Sequence, residues 1–251
     1  MAEDPRYHVQ LKEGTVGNYV ILPGDRGRVK RIAKYLDNPE VVGDNREYFT
    51  MTGTLDGEKV SVMSTGMGAP CVSIGIEELR TLGVHTYIRV GTAGALQTHL
   101  NMGDGVIAMG AIREDGTMSD YLPKAYPAVG HFEVIQALNE AAAAVHHPHH
   151  TGIVLSTDAY YARFFNKSEL ADKNERYARA HALCVEMEVS CLYVLASIYD
   201  LRAGAIVTVR EVIDEQSEYR DQAGTAYEEG LERSILTSVE AVRLLIRKDR
   251  S

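Results

Sequence analysis

Tyr19-Val20-Ile21-Leu22-Pro23-Gly24-Asp25-Arg26-Gly27-Arg28-Val29-Lys30-Arg31-Ile32-Ala33-Lys34-Tyr35-Leu36 reads as a strand, a turn and a helix in succession. Tyr19–Leu22 is a short apolar run stopped by Pro23-Gly24, and Val29, Ile32, Ala33 and Leu36 then fall on one helical face. The same grammar recurs down the chain. A hairpin is expected to turn at Asp56-Gly57 between Phe49–Leu55 and Lys59–Met63. A helix from about Pro70 to Leu82, with Val72, Ile76 and Leu79 inward, leads into a strand over Thr86–Val90. Asp104–Met109, Gly152–Ser156, Cys184–Met187 and Ala205–Val209 read as further strands, and His131–Val145, Val189–Tyr199 and Ala226–Arg247 as helices. Strands alternating with helices imply an α/β fold, a central mixed or parallel sheet flanked by helices on both faces. No linker, repeat or low-complexity stretch divides the chain, so residues 1–251 are expected to form one domain.

The bulk composition excludes several classes of function. A formal net charge of −9 is wrong for a nucleic-acid-binding surface, which needs clustered Lys and Arg. It does not exclude a small anion, because a few converging arginines set the local field inside an acidic protein. No apolar run approaches the roughly 20 residues of a membrane span, and MAEDPRYHVQ has no signal-peptide pattern, so a cytoplasmic protein is expected. Cys71, Cys184 and Cys191 form no C-x-x-C pair and read as reduced thiols.

In α/β sheets ligands gather at the carboxyl ends of strands, and four such ends carry unusual residues. Pro23-Gly24-Asp25-Arg26-Gly27-Arg28 is either an anion cradle, with a glycine amide and an arginine in the helix's first turn, or an ordinary turn with a solvated arginine. Tyr87-Ile88-Arg89-Val90-Gly91 buries an arginine in an apolar strand, which requires an anion or a structural carboxylate; Thr92 could donate to the same anion. Ser64-Thr65-Gly66-Met67-Gly68-Ala69-Pro70 fails the dinucleotide fingerprint, because the third glycine would fall on Cys71, and it reads as a tight strand-to-helix turn. Glu186-Met187-Glu188 ends a strand with two carboxylates expected on the same face, where one can grip vicinal hydroxyls or both can sit at a helix start. His146-His147-Pro148-His149-His150 is expected to be an exposed loop rather than a metal site.

Together these residues resemble the nucleoside phosphorylase superfamily, whose members include uridine phosphorylase and the hexameric purine nucleoside phosphorylases. The carriers are Pro23-Gly24-Asp25 with Arg28, Asn45-Arg46-Glu47-Tyr48, Ser64-Thr65-Gly66-Met67-Gly68, Ile88-Arg89-Val90-Gly91-Thr92-Ala93-Gly94 and Val185-Glu186-Met187-Glu188. The likeness runs from Tyr7-His8 to the last helix and is nearest to bacterial uridine phosphorylases. It implies a pentosyltransferase that cleaves the N-glycosidic bond of a nucleoside with inorganic phosphate as co-substrate, with no cofactor and no metal. Gly24, Arg28, Arg89 and Thr92 match phosphate-binding positions, with Arg89 and Arg28 carrying the catalytic charge. Arg46 matches an arginine given to a neighbouring subunit's phosphate, and His8, beside Tyr7, a histidine given to its ribose. Met187 and Glu188 match the ribose site, while Gly94 and Tyr160 match the base pocket. The family assembles as dimers that build a hexamer.

Two departures concern the base. Uridine phosphorylases carry a Gln-x-Arg pair after the Tyr160 position, and here Asp158-Ala159-Tyr160-Tyr161-Ala162-Arg163-Phe164-Phe165-Asn166-Lys167 has none, which leaves Arg163 or Lys167 to read uracil. Thr208-Val209-Arg210-Glu211 resembles the purine enzymes' Thr-Val-Ser-Asp, so Glu211, assisted by Arg220, stands where an acid protonates a purine. Uridine is the expected substrate, with purine nucleosides as the alternative. A nucleosidase or a silent nucleoside-binding protein on the same fold stands behind both. A potassium site seen in some relatives uses a glutamate and a serine; Glu47 is present but the serine position is Cys71, so no ion is expected.

Overall fold

The computed structural model describes residues 6–213, 219–221 and 224–251, the side chains of residues 163, 167, 213 and 219–221 aside. The opening strand-turn-helix forms as β1 (Tyr19–Pro23) and α1 (Arg26–Ala33), followed by β2 (Asp37–Asn45), β3 (Tyr48–Leu55), β4 (Glu58–Met63) and α2 (Ala69–Arg80). Then come β5 (Thr86–Ala95), β6 (Gly105–Glu114), β7 (Ala128–Val129), α3 (Phe132–Ala144) and β8 (His149–Thr157). The rest is α4 (Ala162–Phe165), α5 (Lys167–Arg179), β9 (Cys184–Glu186), α6 (Val189–Ile198), β10 (Arg202–Ile213), β11 (Tyr219–Asp221) and α7 (Thr225–Asp249). Among the described residues no helix is long and apolar enough to cross a membrane.

The sheet is mixed, as the alternating pattern predicts. β1 pairs in parallel with β4 and β5, β10 runs parallel to β5, and β6, β8 and β9 are mutually parallel, while β5–β9 and β6–β10 are antiparallel. Because β10 pairs with both β5 and β6, the ring β5–β10–β6–β8–β9 closes on itself. Closure needs bent strands, and two register shifts supply the bends: one between Ala108 and Gly110 in β6, one between Val209 and Glu211 in β10.

Alternation along the strands feeds two cores. Val20, Leu22, Tyr87, Ala205 and Val207 pack with Val72, Ile76, Leu79, Leu192 and Val194 of α2 and α6. Ile21, Ile88, Val90 and Ile206 point to the other face and pack with Val29, Ile32, Val134, Leu138, Ile235 and Val242 of α1, α3 and α7. This is the layering that buries both faces of a sheet with parallel strands.

Two elements go beyond the sequence reading, and one local expectation is corrected. Asp37–Asn45 is a strand although it is polar and mostly exposed, because its pairing with β3 defines it and burial does not. Lys167–Arg179 is a helix with a largely polar surface. The histidine tract is not an exposed loop: His147 is 3% exposed, its Nε2 lies 3.2 Å from the Gly103 carbonyl, and His149 and His150 open β8. Burial holds the His147 imidazole below the ordinary histidine value. Among the described residues no group of three His, Cys, Asp or Glu is placed to hold a metal ion.

α7 packs very closely on the turn before β6. A Cβ on Gly230 would lie 2.1 Å from the Gly103 carbonyl oxygen and 2.3 Å from the Gly103 Cα. Neither is a flexible side-chain end, so the helix has to shift. Gly230→Ala is expected to lower stability by about 1–3 kcal/mol or more despite the better helix propensity of alanine, read as a reduced urea midpoint at unchanged slope. An unchanged or higher midpoint would show that α7 can move at no cost.

Candidate active site

The site grows from three strand ends that the sheet sets side by side. β1 ends at Pro23, and Asp25 caps α1 by accepting the Arg28 amide at 2.9 Å on Oδ2. That turn carries Arg28 inward: its side chain is buried and Nη1 donates to the Val90 carbonyl at 2.9 Å, so the solvated-arginine reading of this segment is wrong. Burial pulls the Arg28 guanidinium below the ordinary arginine value, with Arg89 adding to the same effect. The loop after β4 continues the sheet pairing, Thr65 N donating to Pro23 O and Gly66 N to Gly24 O, each at 3.0 Å. Gly24 is therefore closely packed: a Cβ would lie 3.1 Å from Gly66 O, a tight contact, and 3.7 Å from Arg89 Nη2.

Arg89 sits on the neighbouring strand in register with Leu22 and is 4% exposed. Its Nη2 donates to Glu188 Oε2 at 2.5 Å, and Nη1 makes a long contact of 3.5 Å with Thr65 Oγ1. Its buried Nε has no hydrogen-bond partner among the described residues. Glu188, 5% exposed at the N-cap of α6, completes the pairing by accepting the Gly68 amide at 2.7 Å on Oε1. Arginine, carboxylate and the α2 start are thus tied in one cluster, with half-buried Met187 beside it.

Three residues past Arg89 along β5, Thr92 is in register with Thr208 of β10, whose Oγ1 lies 2.8 Å from Ser234 Oγ. Gly94 lies opposite Val185 on one side and Glu211 on the other. The register shift makes Arg210 the extra residue and places Glu211 beside Gly94. Glu211 is 7% exposed and accepts the Tyr160 hydroxyl at 2.5 Å, so the three base-pocket candidates Gly94, Tyr160 and Glu211 meet. The roles expected of Arg163, Lys167 and Arg220 fall on side chains outside those described.

Arg46 and His8 are held elsewhere. Arg46 is exposed at the β2–β3 turn with φ of 55°, and its carbonyl accepts Arg26 Nη1 at 2.6 Å. His8 Nδ1 lies 2.7 Å from Glu78 Oε1, and the adjacent Asn45 donates to the His8 carbonyl at 2.7 Å. The two residues expected to serve a neighbouring subunit are therefore joined through Asn45 into one surface patch. Glu78 was missed from sequence; its signal is a carboxylate, 7% exposed, next to Leu79 on the buried face of α2.

The family model described as Phosphorylase superfamily matches residues 18–243. The chain belongs to the phosphorylase superfamily. Over 98% of its length it is 43% identical to the uridine phosphorylase of Treponema pallidum, covering 96% of that protein. It is 38% identical to the guanosine phosphorylase of Halorubrum lacusprofundi over 98% of this chain and 100% of that one. The crystal structure of uridine phosphorylase from Vibrio fischeri superposes with a TM-score of 0.87 at 29% identity, covering 97% of this chain and 99% of that one. Gly24, Arg28, Arg89 and Glu188, which carry the superfamily resemblance, are the residues that the fold gathers at the strand ends.

The Arg89–Glu188 pair has a measurable signature. Arg89→Met leaves Glu188 buried without its cation and is expected to cost about 3–5 kcal/mol, while the double variant Arg89→Met/Glu188→Met recovers most of that loss. Denaturant titrations of the four proteins form the cycle, and additive single effects would contradict a coupled buried pair.

Proposed function

We propose that this protein is a phosphate-dependent nucleoside phosphorylase with uridine as its principal substrate. The observation that carries the reading is the buried Arg89, flanked by Arg28 and the Gly24 turn, with its Nε unpartnered among the described residues and its Nη2 on Glu188. A cation buried this deeply needs anions, and one carboxylate does not occupy its donors. Inorganic phosphate supplies the rest.

In this reading the Gly24 amide, Arg28, Arg89 and Thr92 hold phosphate below the anomeric carbon, joined by Arg46 of a neighbouring subunit. Glu188, with Met187, binds the ribose hydroxyls, and His8 of the neighbour reaches the far end of the sugar. A phosphate oxygen forms the new bond to the anomeric carbon as the carbon–nitrogen bond breaks. The bonding pair leaves with the base, which takes a proton, and ribose 1-phosphate remains. The arginines position the nucleophile and offset charge, and no cofactor takes part. The minimal unit is a two-fold dimer with two shared sites, three of which build the hexamer. The patch that joins His8, Asn45 and Arg46 supports this arrangement.

A second reading has its own observation. Glu211, buried under the Tyr160 hydroxyl beside Gly94, is suited to protonating a purine, and one relative is a guanosine phosphorylase. Comparing kcat/KM for uridine, guanosine and inosine on wild type and Glu211→Gln separates the two. Uridine turnover that tolerates Glu211→Gln is expected; guanosine turnover that collapses in it, with negligible uridine turnover, reverses the order.

Uridine with phosphate is expected to yield uracil and ribose 1-phosphate, with no turnover when phosphate is withheld. Arg89→Ala should lose roughly 2–5 kcal/mol of transition-state stabilisation, read from kcat/KM. Free ribose released at the same rate without phosphate would instead identify a nucleosidase, and the absence of any turnover a binding protein. For the shared site, inactive Arg46→Ala and Arg89→Ala chains are expected to regain activity when mixed, because some heterodimer sites receive both arginines. No recovery after verified subunit exchange would rule out sharing.

A further inference from the structure

Glu186 is a buried carboxylate to which the reaction above assigns no task. It ends β9 two residues before Glu188 and is 4% exposed. Glu188, where the chain turns into α6 with φ of −143° and ψ of −21°, pairs with Arg89, and Glu186 does not share that partner. Instead, Glu186 Oε2 accepts the main-chain amides of Glu188 at 2.7 Å and Val189 at 2.8 Å. Its Oε1 accepts the Ser156 hydroxyl. Ser156 Oγ in turn accepts the Ser190 amide at 2.9 Å, and Ser190 Oγ donates to Asp115 Oδ2 at 2.5 Å.

The N-cap amide of α6 and the two that follow it are therefore held by Glu186 and Ser156, a side-chain pair braced on β8. Both oxygens of Glu186 are engaged by protein donors. The residue whose backbone they grip is the one whose side chain meets Arg89.

We propose that Glu186 is a positioning residue for ribose recognition, acting through Glu188 by clamping its main chain while Ser156 anchors the clamp. This deepens the nucleoside reading and rests on it. The physical case is that Glu188 has to reach Arg89, Gly68 N and the sugar from a single backbone position. A displacement of an ångström there degrades binding geometry without removing any group that touches substrate.

The charge balance agrees. Burial, and then the Glu188 charge, push the Glu186 carboxyl up to about 7, against the opposing effect of Arg89. The other titratable groups that act on or with it are Cys184 on its own strand and Tyr193 and Cys191 on α6. A neutral amide suits the same niche: the Gln carbonyl can accept both main-chain amides while its NH2 donates to Ser156 Oγ.

The test compares wild type, Glu186→Ala, Glu186→Gln and Ser156→Ala by steady-state kinetics with nucleoside and phosphate varied separately. Glu186→Ala is expected to raise the nucleoside KM roughly tenfold or more, while the phosphate KM stays within about twofold of wild type. Glu186→Gln should restore most of the lost affinity, and Ser156→Ala, which keeps the carboxylate but removes its anchor, should fall between. Should Glu186→Ala fail to fold, Glu186→Gln and Ser156→Ala still decide the matter. A Gln variant with a tenfold-raised nucleoside KM would mean that the charge itself acts on the sugar, overturning the proposal. Equal changes in both KM values, or an unchanged nucleoside KM in every variant, would overturn it as well. Wild type is measured first: if it turns over no nucleoside, the nucleoside reading falls and this proposal with it, a result distinct from a failure among the variants.

Discussion

The structure depends on the meeting of one buried cation with one buried anion. Arg89 lies inside β5, with β1 paired on one side and β10 on the other, and at 4% exposure its guanidinium is almost wholly withdrawn from bulk water. An isolated charge in that position is not tenable, and Glu188 answers it at 2.5 Å. Two well-packed apolar residues would serve stability at least as well as such a pair. That the chain keeps a charged pair at the ends of its strands is an argument for a site that needs it. Because Glu188 also accepts the Gly68 amide, the starts of α2 and α6 are drawn to the same point as the end of β1.

Around this pair the sheet does the positioning. β5 carries Arg89, Thr92 and Gly94 in one run, and β10 follows it in parallel register from Arg202 onwards. The extra residue at Arg210 then brings Glu211 beside Gly94, and Tyr160 reaches across from the end of β8 to bond it. In the proposed reading, β5 therefore carries phosphate and base contacts, and the ribose-binding Glu188 is brought against it from the start of α6. Glu186 and Ser156 hold the main chain at the start of α6 beside that strand.

The surface elements follow a different logic. The chain is acidic overall, with a formal net charge of −9, yet its buried strand ends concentrate arginine. A screened, distant negative surface does little to a site whose local charges lie within hydrogen-bonding distance. At the N-terminal side, Glu78 accepts the amides of both His8 and Val9, and Asn45 holds the His8 carbonyl. The segment, which also buries Val9 and Leu11 in the core, is thereby anchored, and His8 and Arg46 are presented together.

The amino-acid sequence by itself determined the repeating strand-turn-helix units, because a helical stripe such as Val29, Ile32, Ala33 and Leu36 is a property of neighbouring residues. It also determined that Arg89 had to meet an anion, since the cost of burying a guanidinium in an apolar strand can be read off the strand. The polar Asp37–Asn45 strand was invisible for the converse reason: only its pairing with β3 makes it one. The burial of His147, the closure through β10 and the register shift at Arg210 belong to packing between elements far apart in the chain. The division of labour at Glu186 and Glu188 was likewise decided by tertiary structure alone. Two like residues, two positions apart, took different partners because Ser156 arrived from β8 and Arg89 from β5. No local pattern encodes which distant donor reaches a carboxylate first.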